Sequence, residues 1–600
     1  MRCNGRGLGV LPGGVGSPGY TALLSFVAVP LHSSLGLTDV EYEGIEELLG
    51  RAPNDFELAV FSLLWSEHCG YKHSAPLLGR LPSGGDRVLQ GPGGNAGVID
   101  LGDGLRFGSP DWHFRQAVAG IAHYGNCVGV PTVGGECAFD ADYAANPLVN
   151  AMCVGLLPAE RVLRAQAQGV GNAVVLFGAL TGRDGLGGAS VLASQDLEGS
   201  DEKRPSVQIG DPFRGKALIE VSVELVERDL VVALQDCGAA GLASSLSEMA
   251  SDGFGVDVHL DRVPLREAGL EPWEIMISES QERMVAVVAP ERVPDVQAVC
   301  DRWELPCTVI GAVTAHGELR AFFDGETVGA IPAAYLTELC PRYEVATHAR
   351  PTEDAAVDPV NDEPKTWVFE QYDQLVGSAT VRRPGLDAAV LRVDGARGLA
   401  VSLDGPRLGE RDPFAAGYGA VYDAALNVAC AGGEPLALTD CLNFGDPGKP
   451  EIGWELEQAI EGIASAAREL GVPVVSGNVS LYNETGGRPI PPTPVVGCVG
   501  LVRDVTRIPS RWRAGDRVFL LRGIGPALVR FVWQNAAGFT LAHDVSDGGL
   551  AVALREAGDW SRLAPPSIRD TDVPGLAVVV ASPPEAGPPA WDDVIELGAV

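Results

Sequence analysis

Gly477, Asn478 and Ser480 stand together in the stretch Gly471-Val-Pro-Val-Val-Ser-Gly-Asn-Val-Ser-Leu-Tyr-Asn483. It reads as a short buried strand running into a glycine turn with polar side chains beyond it. A glycine there lets a ligand approach the main chain, and Asn478 and Ser480 then offer a carboxamide and a hydroxyl at the strand's mouth. Taken by itself the pattern also reads as a β-turn closing a hairpin. It does not stand by itself, because Gly129-Val-Pro-Thr-Val-Gly-Gly-Glu136 repeats it.

Other stretches carry comparable chemistry. Trp65-Ser-Glu-His-Cys-Gly-Tyr-Lys-His73 crowds Glu67, His68, Tyr71 and Lys72 into about one turn. A histidine at a helix end is commonly a charge partner or a satisfied core residue; the crowding sets an active-site reading beside that one. Leu234-Gln-Asp-Cys-Gly-Ala-Ala-Gly-Leu242 places an acid at a strand end before small residues that open a helix, so Asp236 suits either a metal ion or a helix N-cap. Thr181-Gly-Arg-Asp-Gly-Leu-Gly-Gly-Ala-Ser190 is a glycine-rich turn after a strand, a candidate phosphate cradle without Walker spacing. Ile277-Ser-Glu-Ser-Gln-Glu-Arg-Met284 sets Glu279, Ser280 and Gln281 at the start of a strand, and Gln208-Ile-Gly-Asp-Pro-Phe213 precedes a long helix over about 215–228.

Positioning such groups takes a large mixed scaffold. Six hundred residues, 46% hydrophobic and 20% charged, with mean hydropathy +0.11, imply several domains with ample core. A formal charge of −35 argues against binding nucleic acid or an anionic membrane by bulk electrostatics. An anionic substrate would instead be held locally, by glycine-rich amides, helix N-termini and divalent metal. The 12 cysteines are scattered without a Cys-x-x-Cys pair, which fits buried free thiols in a reducing compartment. No apolar run reaches the ~18–20 residues of a membrane span. Residues 1–36 read as a disordered or mis-started extension, and the protein as cytoplasmic.

Thr38-Asp-Val-Glu41 is a capping box, a second helix opens at Asn54 with Glu57 three residues on, and Leu58, Phe61, Leu64 and Trp65 form its buried stripe. Helices are expected around Phe114–Tyr124 and over roughly 414–430, and strands at Asn95–Gly104, Gly129–Glu136 and Asn146–Leu157. The stretch 345–366, rich in Pro, Asp and Glu, is a linker. Beyond it the pattern restarts. Leu386–Gly395 parallels Asn95–Gly104, Leu442-Asn-Phe-Gly445 parallels Leu105-Arg-Phe-Gly108, and Gly471–Ser480 parallels Gly129–Glu136. Cys498-Val-Gly-Leu501 then parallels Cys153-Val-Gly-Leu156, and His543–Leu550 parallels Gln235–Leu242. The chain is two copies of one αβ module. The copies differ at one place: Gly104 abuts Leu105, whereas Leu399–Cys441 intervenes in the second copy. Losing that stretch from one half should leave a hole in its sheet and expose the packing partners.

The motifs Ser-Glu-His-Cys-Gly-Tyr-Lys, Asn-Ala-Gly-Val, Gly-Val-Pro-Thr-Val-Gly-Gly-Glu, Thr-Gly-Arg-Asp-Gly-Leu-Gly-Gly-Ala-Ser, Gln-Ile-Gly-Asp-Pro-Phe, Ser-Glu-Ser-Gln-Glu-Arg-Met, Thr-Asp-Cys-Leu-Asn-Phe-Gly and Ser-Gly-Asn-Val-Ser-Leu-Tyr-Asn occur in this order over about 37–600. Together they resemble the small form of the phosphoribosylformylglycinamidine synthase family, its synthetase subunit. The resemblance implies ATP-dependent amidination of formylglycinamide ribonucleotide through an iminophosphate, with magnesium. The ammonia would come from a glutaminase partner docked with a small third subunit. It also implies site roles: His68 as an active-site histidine; Tyr71, Asp440 and Gly477 as ATP contacts; Asp236 and Asn478 as magnesium ligands; Gln208, Glu279, Ser280, Gln281 and Ser480 as substrate contacts. The family's Glu-Ser-His-Asn-His motif, with its proton-accepting histidine, has no counterpart here, and its place is the Gly104–Leu105 junction. Weak nucleotide binding and poor turnover are therefore expected. The alternatives are a scaffold that docks the glutaminase without its own chemistry, and a truncated gene product.

The expected fold is α+β and internally duplicated, with two sheet subdomains packed across a pseudo-twofold and flanked by αβ subdomains. The sheets are assigned to 37–160 and 372–505, the flanking layers to 161–345 and 506–600, and the linker to 346–371.

Overall fold

The computed structural model describes residues 30–84, 110–158, 161–186, 208–250, 253–358, 361, 365–523, 525–567 and 576–600. The expected strand Asn95–Gly104, the Leu105–Gly108 motif, the Gly104–Leu105 junction, most of the N-terminal extension and the end of the Thr181–Ser190 turn lie outside them.

Both N-terminal helices start as the sequence dictates. Thr38 Oγ1 accepts from the Glu41 amide at 3.2 Å while the Glu41 carboxylate accepts from the Thr38 amide at 2.8 Å, and Gly50 ends the helix in the left-handed region. Asn54 and Glu57 repeat the box for the helix Asp55–Leu64. Leu58, Phe61, Leu64 and Trp65 are buried against a seven-stranded sheet.

That sheet comprises β1 (Ala173–Gly178), β2 (Ala233–Asp236), β3 (Gly255–His259), β4 (Arg283–Val288), β5 (Cys307–Thr314), β6 (Glu318–Phe323) and β7 (Glu326–Pro332), ordered β2-β4-β1-β5-β3-β6-β7. Every residue of β1 is buried, because the N-terminal helices cover one face and the helices Pro212–Glu227 and Val293–Arg302 the other.

The second half holds β8 (Thr380–Arg382), β9 (Ala389–Asp394), β10 (Arg397–Asp404), β11 (Gly433–Asn443), β12 (Val474–Ser480) and β15 (Thr493–Val502), ordered β12-β11-β15-β10-β9-β8, with the small hairpin β13 (Glu484–Thr485) and β14 (Arg488–Pro489) between the last two in sequence. The helices Pro413–Cys430 and Pro450–Leu470 cover it. They approach so closely at Gly417 and Gly462 that a Cβ on either would lie 2.3 or 2.2 Å from a backbone carbonyl oxygen of the other helix. A four-stranded sheet of β16 (Arg517–Gly523), β17 (Leu541–Val545), β18 (Leu576–Ser582) and β19 (Val594–Ala599) completes it, ordered β17-β18-β16-β19.

The sequence expectation fails at two places, and for one reason. Neither Gly129–Glu136 nor Asn146–Leu157 forms a strand; no described residue of 129–158 does. In the second copy their counterparts, β12 and β15, pair with β11 and β10. Those partner strands lie in the stretch 399–441, the stretch that the sequence comparison sets against the Gly104–Leu105 junction of the first copy. A strand without a neighbour leaves its backbone groups unpaired and does not persist. The pair of packed sheets expected across the pseudo-twofold is accordingly one sheet with an extended segment laid against it. Side chains hold that segment: Tyr143 Oη meets Thr493 Oγ1 at 2.5 Å, Glu136 accepts from the Gly405 amide at 2.8 Å, and Cys441 Sγ donates to Asn150 Oδ1 at 2.7 Å. Leu156 and Leu157 are 64% and 58% exposed.

Candidate functional site

The predicted residues gather on two walls and a strap between them. The first wall is built on the seven-stranded sheet. Glu279 precedes β4 and is fully buried; its carboxylate accepts from Gln208 Nε2 at 2.5 Å and from the Ala240 amide at 2.9 Å, where the helix Gly241–Met249 begins. Ser280 is buried beside it, its hydroxyl bonded to Asp184 and accepting from the Gly182 amide at 2.9 Å. Gln281 folds back to donate to the Glu279 carbonyl at 2.8 Å. Asp236 ends β2, open to solvent on one side yet surrounded by enough protein that burial raises its carboxyl pKa.

Sequence reasoning missed what fixes this wall. Arg283 is 2% exposed, and its guanidinium donates to the Ser278 carbonyl at 2.5 Å, to the Ser280 carbonyl at 2.8 Å and to Thr181 Oγ1 at 2.8 Å. It ties the Ser278–Ser280 turn to the start of the glycine-rich loop. Arg266 holds Asp184 at 2.8 Å from the other side. The signal was present, since Arg283 and Asp184 both lie inside quoted motifs, but nothing local to either says that they meet.

The second wall is the parallel pair β11–β12. Asp440 stands opposite Gly477, Cys441 opposite Asn478, and Asn443 opposite Ser480. The two strands approach closely there: a Cβ on residue 477 would lie 2.0 Å from Asp440 Oδ1, so a larger residue would have to displace that carboxylate. Burial raises the Asp440 carboxyl to about 7, and its Oδ2 has no hydrogen-bond partner among the described residues. Asn478 donates to Cys441 Sγ at 3.5 Å, and Ser480 Oγ accepts from Asn483 at 3.1 Å. A small cavity opens here, lined by Asn150, Met152, Thr439, Asp440, Cys441 and Gly497 among others.

The strap is the turn after the helix Asp55–Leu64, a short helix Glu67–Gly70 ended by Tyr71 in the left-handed region (φ 50°). Glu67 is its anchor, accepting from His73 Nδ1 at 2.8 Å, the Ser74 hydroxyl at 2.7 Å and two backbone amides. Burial pushes the Glu67 carboxyl up, but these bonds outweigh it and hold it below its usual range. Burial lowers His68, against the opposing pull of Glu67. Tyr71 is raised to about 12 by burial and by the charges of Cys69, Glu248 and Glu67. Cys69 is raised by burial and then by Glu279 and Glu248, so the strap lies within the field of the first wall. On its other side Tyr71 and Tyr482 both pack on the second-half core, and Glu67 raises Tyr482 after burial does. Tyr71 thus packs on the second-half core, with His68 three residues before it on the same strap.

The duplicated scaffold is that of AIR synthase-related proteins. The AIR synthase related protein N-terminal domain matches residues 95–157 and again 385–502, and the corresponding C-terminal domain matches 169–324. The formylglycinamide ribonucleotide amidotransferase linker domain matches 29–72. The chain is 46% identical over 550 residues, 79% of this chain and 75% of the relative, to phosphoribosylformylglycinamidine synthase subunit PurL of Caldanaerobacter subterraneus. Among solved structures it resembles Thermotoga maritima PurL complexed with FGAR (32% identity, TM-score 0.75), the same protein with ATP (30%, 0.75) and T. maritima PurLQS (31%, 0.78), each likeness covering 93% of this chain and 99% of the other. The chain belongs to the PurL family, the synthetase subunits of phosphoribosylformylglycinamidine synthase.

No helix among the described residues is long and apolar enough to cross a membrane.

Proposed function

We propose that the chain is an ATP-dependent carbon–nitrogen ligase of purine biosynthesis, converting formylglycinamide ribonucleotide to formylglycinamidine ribonucleotide. The observation that carries this is its likeness, over almost the whole chain, to structures that hold FGAR and ATP. In this reading ATP phosphorylates the formamide oxygen, ammonia adds to the iminophosphate carbon, and phosphate leaves. Gln208, Glu279, Ser280, Gln281 and Ser480 orient the ribonucleotide, Tyr71, Asp440 and Gly477 line the nucleotide, and His68 is the catalytic group on the strap. Arg283 is a positioning residue.

Magnesium, when bound, neutralises charge on the transferring phosphate. The donors present fit it. Asp236 and Asn478 offer hard oxygens, and magnesium is commonly held by one or two such groups with phosphates and waters completing the shell. Asp236, whose charge burial disfavours, gains from a cation there. Glutaminase and small third subunits are the partners that the PurLQS likeness supports. The division 37–160, 161–345, 346–371, 372–505 and 506–600 serves as the working domain plan.

A second reading concerns rate. The N-terminal domain model matches the second copy over nearly twice the length it matches in the first. The 550-residue match to the relative also takes up only 79% of this 600-residue chain, so the relative has residues within that span that this chain lacks. Both support a first copy without its proton-accepting motif. Purified chain given ATP, magnesium, FGAR and ammonium is expected to form product at least ~10²-fold more slowly than an intact relative, the lower end of what a general base contributes. Product at the relative's rate refutes the impairment; ADP release without any product refutes the ligase.

A further inference from the structure

We propose that Asn150 and Cys441 are positioning residues for Asn478, joined in a relay Asn150–Cys441–Asn478 that fixes which end of the Asn478 carboxamide a divalent cation meets. The proposal rests on the reading of Asn478 as a magnesium ligand given above, and adds to it one residue from each copy of the module. The Cys441 thiol donates to Asn150 Oδ1 at 2.7 Å, and its sulfur accepts from Asn478 Nδ2 at 3.5 Å. A second acceptor, Asn443 Oδ1, lies farther off at 3.9 Å, so the single thiol proton goes to Asn150. Asn478 is half-buried, and its Oδ1 accepts no hydrogen bond among the described residues.

The three residues meet through register. Cys441 stands opposite Asn478 in the parallel pair β11–β12, so both side chains leave the same face of the sheet. Asn150 comes from the first copy's extended segment, which is pinned on either side of it. Upstream, the Ala145 carbonyl accepts from Thr485 Oγ1 at 3.2 Å; downstream, the Met152 sulfur fills the space that a Cβ on Gly497 would need. Gly497 pairs with Thr439, two residues before Cys441, and Met152 is two residues past Asn150. The segment therefore crosses β11 in step with it, and Asn150 falls on Cys441, which is itself buried.

A primary carboxamide exchanges its oxygen and its NH2 by a half-turn of χ2, and only the oxygen ligates a hard cation. A thiol beside it can hold either orientation, accepting from the NH2 or donating to the oxygen. Asn150 decides between them. By taking the thiol proton it leaves Cys441 an acceptor toward Asn478, which keeps the NH2 on sulfur and the oxygen as the corner left for metal. Hydrogen bonds of this kind behind a ligand are commonly worth about 10–100-fold in metal affinity.

The test is Mn2+ binding to the full chain in saturating ADP, followed by loss of the free-ion electron paramagnetic resonance signal, with urea unfolding of each metal-free variant as the control for folding. Cys441→Ala is expected to weaken Mn2+ binding about tenfold, and Cys441→Ser, which still donates and accepts, to stay within about threefold of the unaltered chain. A packing role reverses that order, because alanine suits an apolar interior better than serine does. Asn150→Leu should match Cys441→Ala, and in an Asn478→Ala background Cys441→Ala should cost nothing further. Asn478→Ala tests the underlying reading: Mn2+ binding equal to that of the unaltered chain, including none in either, overturns the ligand assignment and the relay with it. A loss with Asn478→Ala but none with Cys441→Ala or Asn150→Leu overturns the relay and leaves the ligand assignment standing. So does a serine variant weaker than the alanine one, or a double variant whose losses add.

Discussion

Two sets of carboxylates, one in the first copy and one where the copies meet, are kept under opposite regimes. In the first, Glu41 pairs with Lys72 at 2.8 Å, Glu57 with Arg51 at 2.7 Å, Asp184 with Arg266 at 2.8 Å and Asp257 with Arg320 at 2.7 Å. Burial raises each, and its partners outweigh that and hold it low. At the corner where the first copy's extended segment meets the second copy, acids face one another instead. Burial raises Asp404, Asp544, Asp547 and the inserted Glu136, the last to about 7, and neighbouring carboxylates raise each of them further. Arg407 offsets part of this by pairing with Asp423 at 3.0 Å. An ion-paired set in the first half thus contrasts with one corner, at the junction of the two copies, that concentrates negative charge.

That contrast sets the sign of the pH response. A carboxyl held low in the folded state stabilises above its unfolded pKa, and the contribution is lost as pH falls through the folded value. A carboxyl held high gives stability that is lost as pH rises, for Glu136 between 4.5 and about 7. His543, raised well above 6.5 by Asp387 against the effect of burial, acts in the same direction: its contribution is complete below 6.5 and lost as pH rises through its folded pKa. Hydrogen exchange read separately on β1 and β4 and on β16 and β18 should find the first pair weakening toward acid and the second toward base. Parallel pH profiles in the two pairs would break the contrast.

The largest effect is expected where the second half does use an ion pair. Asp387 accepts from Arg382 at 2.8 Å and from His543 Nδ1 at 2.9 Å, with all three side chains almost fully buried. Asp387→Leu strands two buried cations and should cost about 3–5 kcal/mol in urea unfolding, with protection lost in β16–β18 and kept in β1. A loss below about 1 kcal/mol would mean that the network is not what holds this half. In the first half the comparable keystone is Arg283. Arg283→Met leaves the Ser278 and Ser280 carbonyls and Thr181 Oγ1 short of a donor and should cost about 2–3 kcal/mol, together with weaker FGAR binding. Unchanged FGAR affinity in a destabilised variant would remove Arg283 from the positioning of the wall.

Much of this was legible in the sequence, and the limits have physical causes. The capping boxes at Thr38 and Asn54 and the apolar run of β1 are local signals, and the structure follows them. The duplication was legible because a repeat is a comparison of the chain with itself. The strands at Gly129–Glu136 and Asn146–Leu157 were misread because strand propensity belongs to the segment while the ladder belongs to its neighbour, and no described strand lies beside either segment. Nor could the Gly477–Asp440 contact be read from either motif alone: it follows from parallel register, with the long helix Pro450–Leu470 intervening between the two strands in sequence. The same holds for Arg283 and Thr181, about a hundred residues apart and joined only when β4 lies beside β1.

The smallest effects discriminate best, because they should differ in sign. Asp184→Asn keeps the shape of the side chain but removes the charge that Arg266 holds and weakens the acceptor for Ser280. Near neutral pH it should destabilise by about 1 kcal/mol, and the gap should close in acid, where the natural carboxyl is itself protonated. Asp404→Asn does the reverse. Its Oδ1 accepts from Asn427 at 2.7 Å, which an amide oxygen still does, while its Oδ2 has no hydrogen-bond partner among the described residues and faces the field of Glu136, Asp423 and Asp544. The unfolded chain ionises this group readily and the folded one resists, so the natural residue costs stability at every pH above the ordinary carboxylate range. The amide removes that cost. Measured without divalent ions, Asp404→Asn should match the unaltered chain near pH 4 and unfold at a higher urea concentration at pH 8, by a margin that grows with pH between those points. Two variants of one chemistry moving in opposite directions would locate the charge imbalance in the second half; two losses would mean that Asp404 is already compensated and that the halves differ less than their carboxylates suggest.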